Sequence, residues 1–174
     1  MDPTQRMSAL EVALTNEANE REFYLAHAAR TKNPAGKAMF EQIAADELEH
    51  YNRLKALHEK WKANERWPET IPLTVKGTDV RNMLKGILLK AKDAPVGDAD
   101  DLKAIEEACD FEAKGEKLYR EMSEASADER EKKFFSLLAG IEREHYLSLK
   151  DTDEYLRDPS SWFAKKERHG LDGA

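Results

Sequence analysis

One cysteine in 174 residues removes several chemistries at once. Cys109 has no partner in the chain for a disulfide, and a lone thiolate builds neither a cysteine-rich zinc site nor a four-cysteine iron centre. Apolar runs are also scarce. No stretch reaches the roughly 18 apolar residues of a membrane span, so no transmembrane helix is expected. Met1 to Met7 lack the run of about 7–15 apolar residues that marks a secretory signal, and a cytoplasmic location is the expectation. Basic residues are in the minority: 28 Lys and Arg face 35 Asp and Glu, a net charge of −7. That balance disfavours nucleic acid and anionic membrane as partners. Six prolines and eight glycines leave little to interrupt long helices.

What is present is charge laid over helical periodicity. A first helix is expected from about Met7 to Thr31, with Leu10, Ala13, Glu17, Glu20, Tyr24 and His27 at three- and four-residue steps. Lys32 to Gly36 reads as a turn, Pro34 suiting the start of a second helix. That helix, about Ala35 to Arg66, carries the stripe Phe40, Ile43, Glu47, His50, Leu54, Leu57, Trp61, whose alternating steps are those of a bundle. A connection with Pro68 and Pro72 leads to a short helix over 80–91 and a loop to Gly97. Its length lets the third helix run parallel to the second. The third helix starts near the acids Asp98 to Asp101 and carries Ile105, Ala108, Glu112, Gly115, Tyr119 and Met122. After a polar turn at Ser126 to Asp128, the fourth runs to about Arg157, with Phe135, Leu138, Glu142, His145, Leu149, Thr152 and Leu156 inward. The expectation is one all-α four-helix bundle over 1–157 and a tail over 158–174. In that tail Trp162 and Phe163 clip onto the bundle, and disorder follows Arg168.

The two halves match without a gap at an offset of 95 residues. Glu17 falls on Glu112, Tyr24 on Tyr119, Phe40 on Phe135, Glu47 on Glu142, His50 on His145 and Leu54 on Leu149. Such a repeat implies two helical hairpins about a pseudo-twofold axis. At about 1.5 Å per residue, the arms from Glu17 and Glu47 to the turn differ by only about 3 Å, so folding the hairpin levels them. Docking the hairpins gathers four glutamates and two histidines at mid-bundle.

Those six sit where leucine is expected, and Glu47/His50 and Glu142/His145, three residues apart, share a face. Unpaired, each buried carboxylate costs several kcal/mol to desolvate; two cations would remove that cost. One glutamate from each of two helices plus Glu-x-x-His from each of the others is how a bundle holds two metal ions. Each histidine would then serve one ion, Glu47 and Glu142 would bridge, and Glu17 and Glu112 would be terminal. Oxygen and imidazole donors without thiolate suit iron or manganese. The competing reading, two Glu-x-x-His pairs on solvated faces in a glutamate-rich chain, does not account for the repeat register or the apolar stripes.

On Asn16-Glu17, Phe23-Tyr24, Asp46-Glu47-Leu-Glu-His50, Glu112, Tyr119 and Glu142-Arg-Glu-His145, the chain resembles the rubrerythrin branch of the ferritin-like superfamily over about residues 7–157. The resemblance implies a ferritin-like bundle with two iron ions, manganese or mixed metals being open. It implies reduction of hydrogen peroxide or dioxygen, and a homodimer, with the stripe over 80–91 as a candidate contact. Rubrerythrins usually carry a four-cysteine rubredoxin domain; this chain has none, so electrons would come from a separate carrier such as a rubredoxin-type protein. Rubrerythrins also place an extra glutamate one turn after the third-helix ligand, where Gly115 stands here and leaves space for substrate or solvent. By the pseudo-twofold, Glu20 is the seventh ligand on the other side, or a polar residue at the site entrance. Tyr24 and Tyr119 are partners for the carboxylates or core aromatics. Asp46 reads as a solvated acid, with orientation of a histidine as the alternative. His27 reads as a bundle-end residue, His58 and His169 as surface residues and Cys109 as packing. The leading function is a di-iron peroxidase or oxidase. The alternatives are an iron-binding or ferroxidase protein of iron storage, and a metal-free structural bundle.

Overall fold

The computed structural model describes residues 3–64, 86 and 97–171. Among them the regular structure is α-helical: α1 (Pro3–Arg30), α2 (Pro34–Asn64), α3 (Ala99–Ala125), α4 (Glu129–Arg157) and α5 (Pro159–Leu171). Of the short helix expected over 80–91 only Gly86 is described, and it is helical; the rest, with the proposed dimer contact, lies outside the described residues.

Local chemistry sets the ends. α1 stops at Thr31 to Asn33, where the Asn33 side-chain oxygen accepts from the amides of Ala35 (2.9 Å) and Gly36 (3.2 Å). Asn33 thus caps α2, and Pro34 fills the first helical position, where no amide proton is needed. Asp98 caps α3 by accepting from the Asp101 amide, 2.8 Å. Asp128 caps α4 through the amides of Arg130 and Glu131.

α1 packs on α2 and α3 on α4, forming two antiparallel hairpins, and the hairpins meet along α1–α3 and α2–α4. Arg30 at the end of α1 reaches Asp98, Asp100 and Asp101 at the start of α3 (2.9 Å to Asp101). The Gly97 amide donates to Leu156 at the end of α4, 3.0 Å. The start of α2 and the start of α3 therefore lie at one end of the bundle, and the two helices run parallel, as the long connection requires.

The core has two apolar regions. One gathers Tyr24, Phe40, Ile43, Ile105, Leu149, Tyr155 and Trp162. The other gathers Leu10, Leu54, Leu57, Trp61, Tyr119, Phe135 and Leu138. At about 1.5–3 kcal/mol per fully buried large apolar side chain, these regions hold the bundle together. Cys109 packs at the edge of the first.

The tail differs from expectation. Pro159 cannot continue α4, but it opens a new helix, α5, that runs past Arg168 to Leu171. Trp162 is buried edge-on against Tyr155 and donates its indole N–H to Asp151, 3.0 Å. Phe163 also packs against Tyr155.

Candidate metal centre

Glu17, Glu47, His50, Glu112, Glu142 and His145 are all at most 2% exposed. Their helices are long, uninterrupted and mutually antiparallel within each hairpin, which brings the six to one level. Glu17, Glu47, His50 and Glu142 each offer one atom to a group lying within 4.8 Å of one another; Glu47, Glu112, Glu142 and His145 form a second such group. Glu47 and Glu142 belong to both. The sharing follows the pseudo-twofold: each hairpin contributes one Glu-x-x-His and one lone glutamate.

Each histidine turns Nδ1 to the carboxylates. His50 Nδ1 lies 3.1 Å from Glu47 Oε2, 3.2 Å from Glu17 Oε2 and 3.5 Å from Glu142 Oε1. His145 Nδ1 lies 3.3 Å from both Glu47 Oε1 and Glu112 Oε2. The rings are stacked with centroids 6.0 Å apart.

The tyrosines cross between hairpins. Tyr24 on α1 donates its hydroxyl to Glu112 on α3, and Tyr119 on α3 donates to Glu17 on α1. Burial and the neighbouring carboxylates push both phenols well above their ordinary value, so they stay protonated donors.

The electrostatics are those of an overcrowded acid cluster. Burial, with neighbouring carboxylates adding, holds Glu17 and Glu112 well above the usual carboxylate range. Glu47 is also pushed up by burial, but His50 and the hydrogen bonds around it win and hold it well below. Burial disfavours the charged form of both histidines; their carboxylate neighbours outweigh it and raise them. The protein thus holds protons where it has no other positive charge to place.

Among the described residues, Glu17 Oε2, Glu47 Oε1, Glu112 Oε2, both oxygens of Glu142 and His145 Nδ1 are buried without a hydrogen-bond partner. Buried polar atoms converging without partners are costly in a bare protein, and two cations displacing the protons would satisfy them. The residues fit a pair of metal ions.

Glu20 is buried, more exposed at 8% than the six donors, but it is not among the converging donors. Burial, then repulsion from Glu47 and Glu142, pushes its carboxyl up to about 8. Gly115 leaves no space for substrate or solvent. A Cβ there would lie 3.2 Å from Glu142 Oε2 and 3.3 Å from its carboxyl carbon, so the room is taken by Glu142 itself.

Asp46 is corrected too. It is half-buried, and its Oδ2 lies 3.1 Å from His145 Nε2 across the hairpin interface. Its position beside Glu47 put it next to the inward stripe, but which histidine it meets follows only from docking α2 on α4. His27 is part-buried between Phe23 (centroids 4.3 Å apart) and Phe40 (5.8 Å) near the end of α1. His58 sits partly exposed, 3.4 Å from Glu11; the side chain of His169 lies outside the described residues. Two surface grooves of about 460 and 570 Å³ are lined by other residues, among them Arg120 and Arg143 in one and Cys109 and Tyr146 in the other. No described helix is long and apolar enough to cross a membrane.

Residues 8–85 match the family model described as Rubrerythrin. No curated protein and no solved structure matches the chain. The matched segment contains α2 and nearly all of α1; the same donors recur in α3 and α4 through the 95-residue offset.

Proposed function

We propose, from the premise that this chain is a rubrerythrin-like protein with a ferritin-like bundle, that it is a di-iron carboxylate oxidoreductase reducing hydrogen peroxide with electrons from a separate carrier. The observation that carries the reading is the pair of four-donor groups sharing Glu47 and Glu142 in a buried layer. Glu17 and His50 would hold one ion, Glu112 and His145 the other, with Glu47 and Glu142 common to both. Carboxylate and imidazole donors without thiolate favour iron or manganese over structural zinc. Such a pair, when bound, supplies electrons and a place for both oxygens of a peroxide.

The chain's own residues supply the rest. Tyr24 and Tyr119 hold Glu112 and Glu17 in place by donating to one oxygen of each, which leaves the other oxygen facing the cluster. Reducing one peroxide to two waters consumes two electrons and two protons. Glu20, buried beside the cluster without joining either donor group, is the group placed to hold one at the edge of the site. These 174 residues hold one cysteine, so the electrons enter from outside this segment, a rubredoxin-type carrier being the chemistry that fits. A reducing cytoplasm and a homodimer complete the proposal.

Two measurements test it. Elemental analysis of protein purified without chelator should find two ions per chain; Glu47→Ala and Glu142→Ala should each lose both, whereas Glu17→Ala and Glu112→Ala should lose one. Stoichiometric metal in either of the first two variants contradicts the site. Protein loaded anaerobically with ferrous iron should then oxidise faster with peroxide than with dioxygen. The opposite order would replace peroxide reduction with ferroxidase activity and iron handling.

A further inference from the structure

We infer that the two metal positions are unequal, that the one built on His145 is the tighter, and that Asp46 is the positioning residue that makes it so. The inference rests on the metal-centre reading above. Both histidines present Nδ1 to the shared carboxylates, so the difference lies behind the rings. His145 Nε2 is 3.1 Å from Asp46 Oδ2. Asp46 is itself held, its Oδ1 accepting from Gln42 Nε2 at 3.0 Å. Gln42, Asp46 and His145 form a relay from α2 to α4. His50 Nε2, by contrast, is buried with no hydrogen-bond partner among the described residues. The 95-residue offset puts Ile141 where the first half has Asp46 and Leu137 where it has Gln42. Both members of the relay are apolar in the second half, and Ile141 is buried.

An imidazole that gives Nδ1 to a cation carries its proton on Nε2. For His145 that proton is donated to a carboxylate, which fixes the tautomer, orients the ring and makes Nδ1 a stronger donor. For His50 it is buried with no acceptor among the described residues, a desolvated donor whose cost is charged against binding. Losing such an outer partner typically weakens metal affinity about 10- to 100-fold, and that is the expected gap between the positions.

The test is titration of the metal-depleted full chain with cobalt(II), followed by visible absorption. Two equivalents should bind in two steps about 10- to 100-fold apart. In Asp46→Asn the first step should weaken by about that factor, because the favoured position has lost its advantage. Repulsion between two bound cations alone would also give two steps, but it would leave the first step of Asp46→Asn at its wild-type affinity; that result overturns the inference. Ile141→Asp, which offers His50 an acceptor, should strengthen the second step. A readout independent of affinity is nitrogen-15 NMR of the zinc-loaded protein. One imidazole Nε2–H, assigned to His145, should exchange slowly, and it should be lost in Asp46→Asn. Equal protection of both rings would also sink the inference. Failure of either protein to bind two equivalents is a different result, and it overturns the metal-centre reading together with this one.

Discussion

A layer of charge in a helical core has to be held residue by residue. Tyr24→Phe and Tyr119→Phe each strip one donor from a buried carboxyl and leave its oxygen unsatisfied, a loss of about 1–3 kcal/mol. Urea unfolding of the metal-free protein should show losses of that size, similar for the two variants because the pseudo-twofold makes their surroundings alike. Gly115→Ala separates folding from binding. Alanine improves an interior helical position by up to about 1 kcal/mol, and the Cβ meets only the movable end of Glu142. The metal-free protein should therefore melt no lower, while metal retained after dialysis should fall because a shared carboxylate has been displaced. The six donors were legible at this scale because polar residues in an apolar stripe break a pattern. Asp46 was not, since a part-exposed acid breaks no pattern and its meaning lies in a histidine 99 positions away. Gly115 was misread for a related reason: an absent side chain looks like space until the side chain that fills it is known.

Each helix is bounded by a side chain doing a backbone's work. Asp98→Ala and Asp128→Ala remove the caps of α3 and α4 and should each cost about 1 kcal/mol in chemical denaturation, with metal content unchanged. Gly97 should tolerate less: a Cβ there would meet the Leu156 Cβ at 2.9 Å, where the α3 and α4 ends are pinned together. Helix existence and direction were readable from the stripes and from the length of the second connection. Ends were less so. α5 hides behind Pro159, a residue that ends one helix and suits the start of another, and its polar composition resembles a loose tail until Trp162 finds Tyr155.

For the molecule as a whole, pH separates the metal-free from the metal-loaded state. Glu20 rises from an ordinary 4.5 to about 8 in the folded chain, so between those values the folded state holds a proton that the unfolded state has released, and stability falls as pH rises. His50 and His145, both raised above 6.5, act in the same sense: their contribution is full below 6.5 and is lost as pH climbs through the folded values. Glu47 is lowered below 4.5, so its contribution is kept throughout this window and lost only in stronger acid. Metal-free protein should therefore melt higher at pH 5.5 than at pH 8, by thermal unfolding monitored by circular dichroism. The loaded protein should show the reverse, because protons compete with cations for the same atoms. The crossed tyrosines carry one more consequence. Each hairpin's lone glutamate is held by the other hairpin's tyrosine, and each donor group draws on both hairpins. The six donors therefore all come from the hairpins themselves. Segments 3–64 and 97–171 are the two halves of a clasp, and cations bound between them would serve as its rivet.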